Sequence, residues 1–304
     1  MRIASLLPSA TEIVCSIGLK DSLVAVSHEC DYPLGVRNIE RVTRNTLEDI
    51  GNSSAEIDHH IRTAIHQGSS LFTLDHEALE RLRPELILTQ ELCKVCAISY
   101  EEVSETVTLI DADNKIVSIE PKNLLQICDS IVEIGRLTER EKMAVSVADE
   151  LKQRLSDLQQ NTGGIPKRPR VLCLEWLDPL MVAGHWVPDM VRIAGGEDVL
   201  GTNSGPSYRI SWDAIIESRP DFIIAMPCGF DLEETVNEFR TLNWPPEWTS
   251  LAAVKNRNVF AVDGSSYFNR PGPRVVDGIE VLLSILNRPK STAEPNRSLY
   301  TRLY

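Results

Sequence analysis

The stretch Leu79-x-x-x-Arg83-Pro84-Glu85-Leu86-Ile87-Leu88 recurs further along the chain as Ile215-x-x-x-Arg219-Pro220-Asp221-Phe222-Ile223-Ile224. In each copy a helix end runs into Arg-Pro, then an acid, then an apolar triplet. Proline stops the helix, since it has no N–H to give and its ring clashes with the turn before it. An unbroken apolar triplet suits a strand buried on both faces, the usual state of a parallel sheet packed between helices. A cysteine, Cys93 or Cys228, follows each strand. Two copies of one helix–strand unit predict two similar α/β lobes, and two lobes imply a cleft between them.

Working outward, Ile3 to Leu7 reads as a first strand closed by Pro8, with Ser9 and Glu12 spaced as a capping box for the next helix. Leu23 to Val26 is a second buried strand, and Ala55 to His66 and Asp75 to Leu82 read as helices. Leu124, Ile127, Ile131 and Ile134, then Ala144, Val147, Ala148, Leu151, Leu155 and Leu158, keep the helical period. Gly135 is expected to separate these two helices, with Thr138 and Glu141 as a second capping box. Asn161 to Pro169 is turn-rich and basic, and a new α/β unit follows it with strands at Val171 to Leu174 and Phe222 to Ala225. The expected organisation is an N-terminal α/β lobe over 1–121, a helical connection over 122–161, a C-terminal α/β lobe over 168–290 and a tail over 291–304.

A chain of 304 residues is long enough for two domains. Its formal charge of −13 opposes a phosphate backbone, so nucleic acid is not an expected partner. No apolar run approaches the roughly 20 residues that span a bilayer. The start reads as a strand rather than a secretory signal, and the seven cysteines are an odd number. Reduced thiols and a cytoplasmic setting are the expectation, or a periplasmic one if a signal precedes this sequence.

Ligands of open parallel sheets sit at the carboxyl ends of strands. Those positions carry Ser9, His28 and Tyr32 in the first half, and Glu175, Trp176, His185, Trp186, Tyr267 and Arg270 in the second. Aromatic rings with a few polar groups suit a large flat ligand. His28, Cys30, Cys93 and Cys96 read either as a soft-metal site, with zinc the natural ion, or as buried reduced thiols; a redox Cys-x-x-Cys is a third reading. No nucleophile, histidine and acid assemble into a catalytic set, and no phosphate-binding glycine loop is present, so binding is expected rather than catalysis. The alternative is a cytoplasmic metal-dependent enzyme or metal-handling protein, with Glu175 as acid/base and the His28/Cys30/Cys93/Cys96 cluster holding the metal.

The opening Arg2-Ile3-Ala4-Ser5-Leu6-Leu7-Pro8-Ser9-Ala10-Thr11-Glu12, with His28-Glu29-Cys30-Asp31-Tyr32-Pro33, resembles the cobalamin-binding branch of the class III substrate-binding proteins of ABC importers. The two Arg-Pro stretches and Phe268-Asn269-Arg270-Pro271-Gly272-Pro273-Arg274 extend the resemblance over roughly residues 1–288. It implies two Rossmann-like lobes with parallel sheets joined by a long interdomain helix, here near Thr138 to Gln160. It implies a corrinoid or metal-chelate ligand, bound cobalamin as cargo with no cofactor required, and a transporter permease as partner. Glu77 and Asp213 would be its docking carboxylates, although first-turn acids are also favoured by the helix dipole alone.

Overall fold

The computed structural model describes residues 1–45, 53–67, 71–90, 103, 114–164, 167–287 and 299–303. It divides into two units, one of Met1–Asn52, Glu56–Pro121 and Gln126–Glu150, the other of Ser53–Ala55, Lys122–Leu125 and Leu151–Tyr304. The elements up to the connection are β1 (Ile3–Ser5), α1 (Pro8–Ser16), β2 (Leu23–Val26), β3 (Thr43–Asn45), α2 (Ser54–Gln67), β4 (Phe72–Leu74), α3 (His76–Leu82), β5 (Leu86–Thr89), β6 (Lys115–Ser118) and α4 (Leu124–Leu137). Helix α5 (Glu141–Thr162) is the long connection, and the boundary between the units falls inside it.

In the first unit the sheet order is β2-β1-β5-β6, every pair parallel. Ile3, Ala4, Leu86, Ile87 and Leu88 are all at most 1% exposed, so the central strands are apolar on both faces, as the triplet required. Each large side chain buried this fully contributes about 1.5–3 kcal/mol. Ala4, Leu6, Ala25, Leu79 and Ile87 pack with Phe72 and Leu74 in one core.

Helix α1 begins two residues earlier than the expected box, with its cap at Leu7 rather than Ser9. Pro8 takes the first helical position, where its missing N–H is no loss, Leu7 is the cap, and no side chain caps it. The second expected box also does not form: the Thr138 hydroxyl donates back to the Ile134 carbonyl at 2.7 Å and so closes α4. Gly135 lies inside α4 rather than between helices. A Cβ there would sit 2.2 Å from that of Ala144, so glycine serves the close approach of α4 to the start of α5.

The second unit continues with β7 (Arg170–Leu177), β8 (Leu180–Val182), α6 (Val187–Ile193), β9 (Glu197–Asp198), β10 (Tyr208–Arg209), α7 (Trp212–Ser218), β11 (Phe222–Ala225), α8 (Leu232–Thr241), α9 (Ala252–Lys255), β12 (Val259–Val262), α10 (Gly264–Tyr267), α11 (Val275–Leu286) and β13 (Tyr300–Arg302). Its sheet runs β10-β8-β7-β11-β12-β13, with β9 also on β7. Strands β7, β9, β11 and β12 are parallel, while β8, β10 and β13 add antiparallel pairs. The segment expected to be a tail therefore supplies an edge strand. Tyr300, 4% exposed, packs on Phe260, which a sequence of polar residues leading up to it did not signal.

The duplicated stretch is duplicated in structure. Asp75 and Ser211 cap seven-residue helices by accepting from the N–H of Ala78 and Ala214, and Arg83 and Arg219 end them at φ 42° and 44°. Arg2, immediately before β1, and Arg170, the first residue of β7, then hook the repeat. Their backbone N–H groups donate to Glu85 and Asp221 at 2.6 and 2.9 Å, and their Nε atoms to the carbonyls of Leu82 and Ser218 at 2.8 and 3.1 Å.

Candidate ligand-binding rims

In the first unit Ser5, Val26 and Leu88 stand level at the ends of their strands. Ser9 lies just beyond on α1 but is 2% exposed, so it supports the rim from beneath. His28 follows β2, its ring Nδ1 2.7 Å from the Thr43 hydroxyl and its ring 5.5 Å from that of Phe72. Tyr32 is 46% exposed on the same loop.

The structure does not bring His28 and Cys30 together as ligands. Cys30 is buried with its sulfur 3.1 Å from the Thr11 hydroxyl, which in turn donates to Ser5 Oγ at 2.8 Å. Its thiol thus joins the packing between β1, α1 and the loop. Cys93 and Cys96 lie outside the described residues, and among the described residues no three His, Cys, Asp or Glu side chains cluster as a metal site. The metal-dependent enzyme reading has no support from the described residues.

The second unit has the denser rim. Strand β11 ends at Ala225, opposite Leu174 of β7, and Val182 of antiparallel β8 faces the same Leu174. Glu175 and Met226-Pro227-Cys228 therefore emerge side by side, while the run after Val182 turns back past Cys173 and meets Glu175 through the Gly184 N–H. The Cys228 N–H donates to the Glu175 carbonyl at 3.0 Å and so fixes the neighbouring loops. Trp176 donates its indole N–H to the Asp178 carbonyl at 3.0 Å and the Ser54 carbonyl at 3.2 Å, with Phe230 edge-on at 5.6 Å. Ser54, which belongs to this unit, donates both its N–H and its hydroxyl to the buried Glu238 carboxylate.

His185 sits at φ 53° and stacks on Trp186 at 5.5 Å. Trp186 is 4% exposed and donates to the Phe268 carbonyl at 2.7 Å, so it is core and ties the His185 loop to the segment carrying Tyr267 and Arg270. Those two residues are half-buried, with the Arg274 guanidinium 5.7 Å over the Tyr267 ring. Burial and then the charge of Lys122 push the His185 imidazole below its ordinary pKa, which favours the neutral ring. Burial pushes the Glu175 carboxyl up, only partly offset by hydrogen bonds from the Ser207 hydroxyl at 2.7 Å and the Gly184 N–H.

Two residues of this unit escaped the sequence reading: Ser207, which grips Glu175 on the rim, and Asp198, level with Val171 near the start of β7, whose carboxylate accepts from the N–H groups of Leu200 and Gly201 at 3.1 and 2.6 Å. Their contacts are made through space from a loop without a motif; only the Asp-x-x-Gly spacing hints at the second. Glu77 and Asp213 are both exposed in the first turns of the paired helices α3 and α7.

Twin α/β units with aromatic and polar strand-end rims, linked through one long helix, define a ligand-binding protein. The chain belongs to the periplasmic binding protein family, whose model matches residues 3–265. A vitamin B12-binding protein of Vibrio cholerae serotype O1 is 27% identical over 294 residues, covering 94% of this chain and 88% of that one. An uncharacterized ABC transporter substrate-binding lipoprotein of Bacillus subtilis, YvrC, is 23% identical over 92% of this chain and 78% of its own length. The crystal structure of the periplasmic vitamin B12 binding protein BtuF of Vibrio cholerae superposes with a TM-score of 0.67 at 24% identity, covering 94% of this chain and 96% of that one. A cytoplasmic setting finds no support in this family. The cysteine count does not fix the compartment, because a buried free thiol packs as a small apolar group in any setting, and the described ones are all buried or half-buried.

Proposed function

We propose that this chain binds a corrinoid or a related metal chelate outside the cytoplasm and presents it to an ABC-type importer. Family membership and the names of its relatives support the class of ligand. The observation that carries the reading is the second unit's rim, where the Glu175-Trp176 strand end, the loop of neutral His185 and the segment of Tyr267 and Arg270 are tied together by the Gly184–Glu175 and Trp186–Phe268 hydrogen bonds. Aromatic faces supply area to a flat macrocycle, and a few fixed polar groups orient it. In this reading His28, Tyr32, Glu175, Trp176, His185, Tyr267 and Arg270 touch the ligand, while Ser9 and Trp186 hold them from behind. Cobalamin or haem is cargo rather than cofactor. Glu77 and Asp213, matched in position on the repeated helices and exposed, are the docking carboxylates for basic groups of a permease.

Replacing Trp176 with alanine tests the rim. Quenching of tryptophan fluorescence by hydroxocobalamin and by hemin should show affinity reduced about tenfold or more, the usual effect of losing a large aromatic anchor. Equal affinity of Trp176→Ala and the parent protein for whichever chelate binds would remove this rim from the function.

A further inference from the structure

Loop Val199–Ser207 of the second unit is fastened at three points. At its start, Asp198 Oδ1 accepts from the Leu200 and Gly201 N–H groups, and the Tyr208 hydroxyl donates to the Leu200 carbonyl at 2.5 Å. In its middle the His185 N–H donates to the Gly205 carbonyl at 2.6 Å, and the Ser204 N–H to the His185 carbonyl at 2.9 Å. At its end the Ser207 hydroxyl donates to Glu175. Gly184 lies so close beneath that a Cβ would come within 2.5 Å of the Gly205 carbonyl. Two of the groups proposed to touch ligand, Glu175 and His185, are thus also the groups that hold this loop.

We infer that loop Val199–Ser207 is a clasp on the ligand-binding rim, anchored at its two ends by the carboxyl groups of Asp198 and Glu175, and that it closes more firmly as the pH falls. This regulation rests on the rim being the ligand site. Asp198 Oδ2 is buried with no hydrogen-bond partner, an arrangement that a proton suits better than a charge. Burial raises the Asp198 pKa from 3.8 to about 6 against the pull of its two N–H donors, and Glu175 is shifted the same way. Opening the loop would return both groups to water and to ordinary values. The closed loop therefore holds its protons more tightly than the open one: closure is fully favoured below the ordinary carboxylate pKa and weakens as pH rises through about 6.

The other ionisable groups facing this pair do not reverse the sign. Cys173, on β7 behind both carboxyls, is buried and pushed well up, so it stays neutral. Glu197 points outward to Arg170 at 3.3 Å. His185, lowered by burial and by Lys122, holds the loop through its backbone, and its ring stays stacked on Trp186.

Hydrogen–deuterium exchange of peptides covering 199–207, in the full chain without ligand and corrected for intrinsic exchange, reads opening directly. Between pH 4.5 and 7.5 the opening constant should rise about tenfold or more. Asp198→Asn, which keeps an acceptor for the two N–H groups but cannot titrate, should flatten much of that dependence, and Ser207→Ala should raise opening at every pH. A pH-independent opening in the parent chain overturns the clasp, as does an unchanged dependence in Asp198→Asn. If Asp198→Asn fails to fold, the same dependence in Glu175→Gln decides: flattened supports the clasp, unchanged overturns it. Chelate titrations run alongside separate the two ideas, because exchange without ligand does not depend on whether hydroxocobalamin or hemin binds.

Discussion

Arg83 and Arg219 show how much a single backbone angle can say. Both occupy the left-handed region at the ends of their helices, where glycine would be free of strain, and both side chains are exposed. Replacing either with glycine should stabilise the protein by up to about 1 kcal/mol, read as a higher midpoint in urea with an unchanged slope. A loss of stability would mean that the arginine side chain matters to the fold. The Arg-Pro pair was legible in the sequence as a helix stop because proline's chemistry is local. The hooks from Arg2 and Arg170 were not, since they join residues 83 and 51 positions apart along the chain. The same distinction governs the rim: Glu175, Trp176, His185 and Tyr267 are proposed from the rule for strand ends, whereas Ser207 reaches Glu175 only through the folded loop.

Among the elements, the connection between α4 and α5 is the place where sequence reading and structure differ most. Glycine was read as a breaker, and Thr138 as a cap for the next helix. Instead Gly135 is helical and serves contact, because Ala144 presses on it. Gly135→Ala should therefore cost about 1–3 kcal/mol by overpacking, although alanine is the better helix former. Thermal unfolding checks it: a raised midpoint would show that the two helices can part at no cost. Unbroken apolar runs gave β1, β2, β5, β7 and β11, but β12, whose four residues are just as buried, was not among the expected strands. Short β8, β9 and β10 and the late β13 carry too few residues for a pattern, and their places are set by neighbouring backbone that needs hydrogen-bond partners.

For the molecule as a whole, net charge and the absence of a polybasic stretch had already set nucleic acid aside, and the repeat had predicted twin units. What the sequence could not supply was the setting, because cysteine count is a weak guide when thiols pack as apolar groups. The proposed docking role separates from ligand binding by experiment. Reversing both charges, Glu77→Lys with Asp213→Lys, should leave chelate affinity within about twofold, since both side chains are exposed on helices, and should abolish stimulation of a cognate importer's ATPase in vesicles. Unaltered stimulation would remove these carboxylates from the interface. The most direct measurement is isothermal titration of the full chain with hydroxocobalamin, and in parallel with hemin. Saturable binding of one of them at one equivalent per chain, micromolar or tighter and weakened in Trp176→Ala, is the predicted result; no saturable binding of either chelate would contradict the function proposed for this protein.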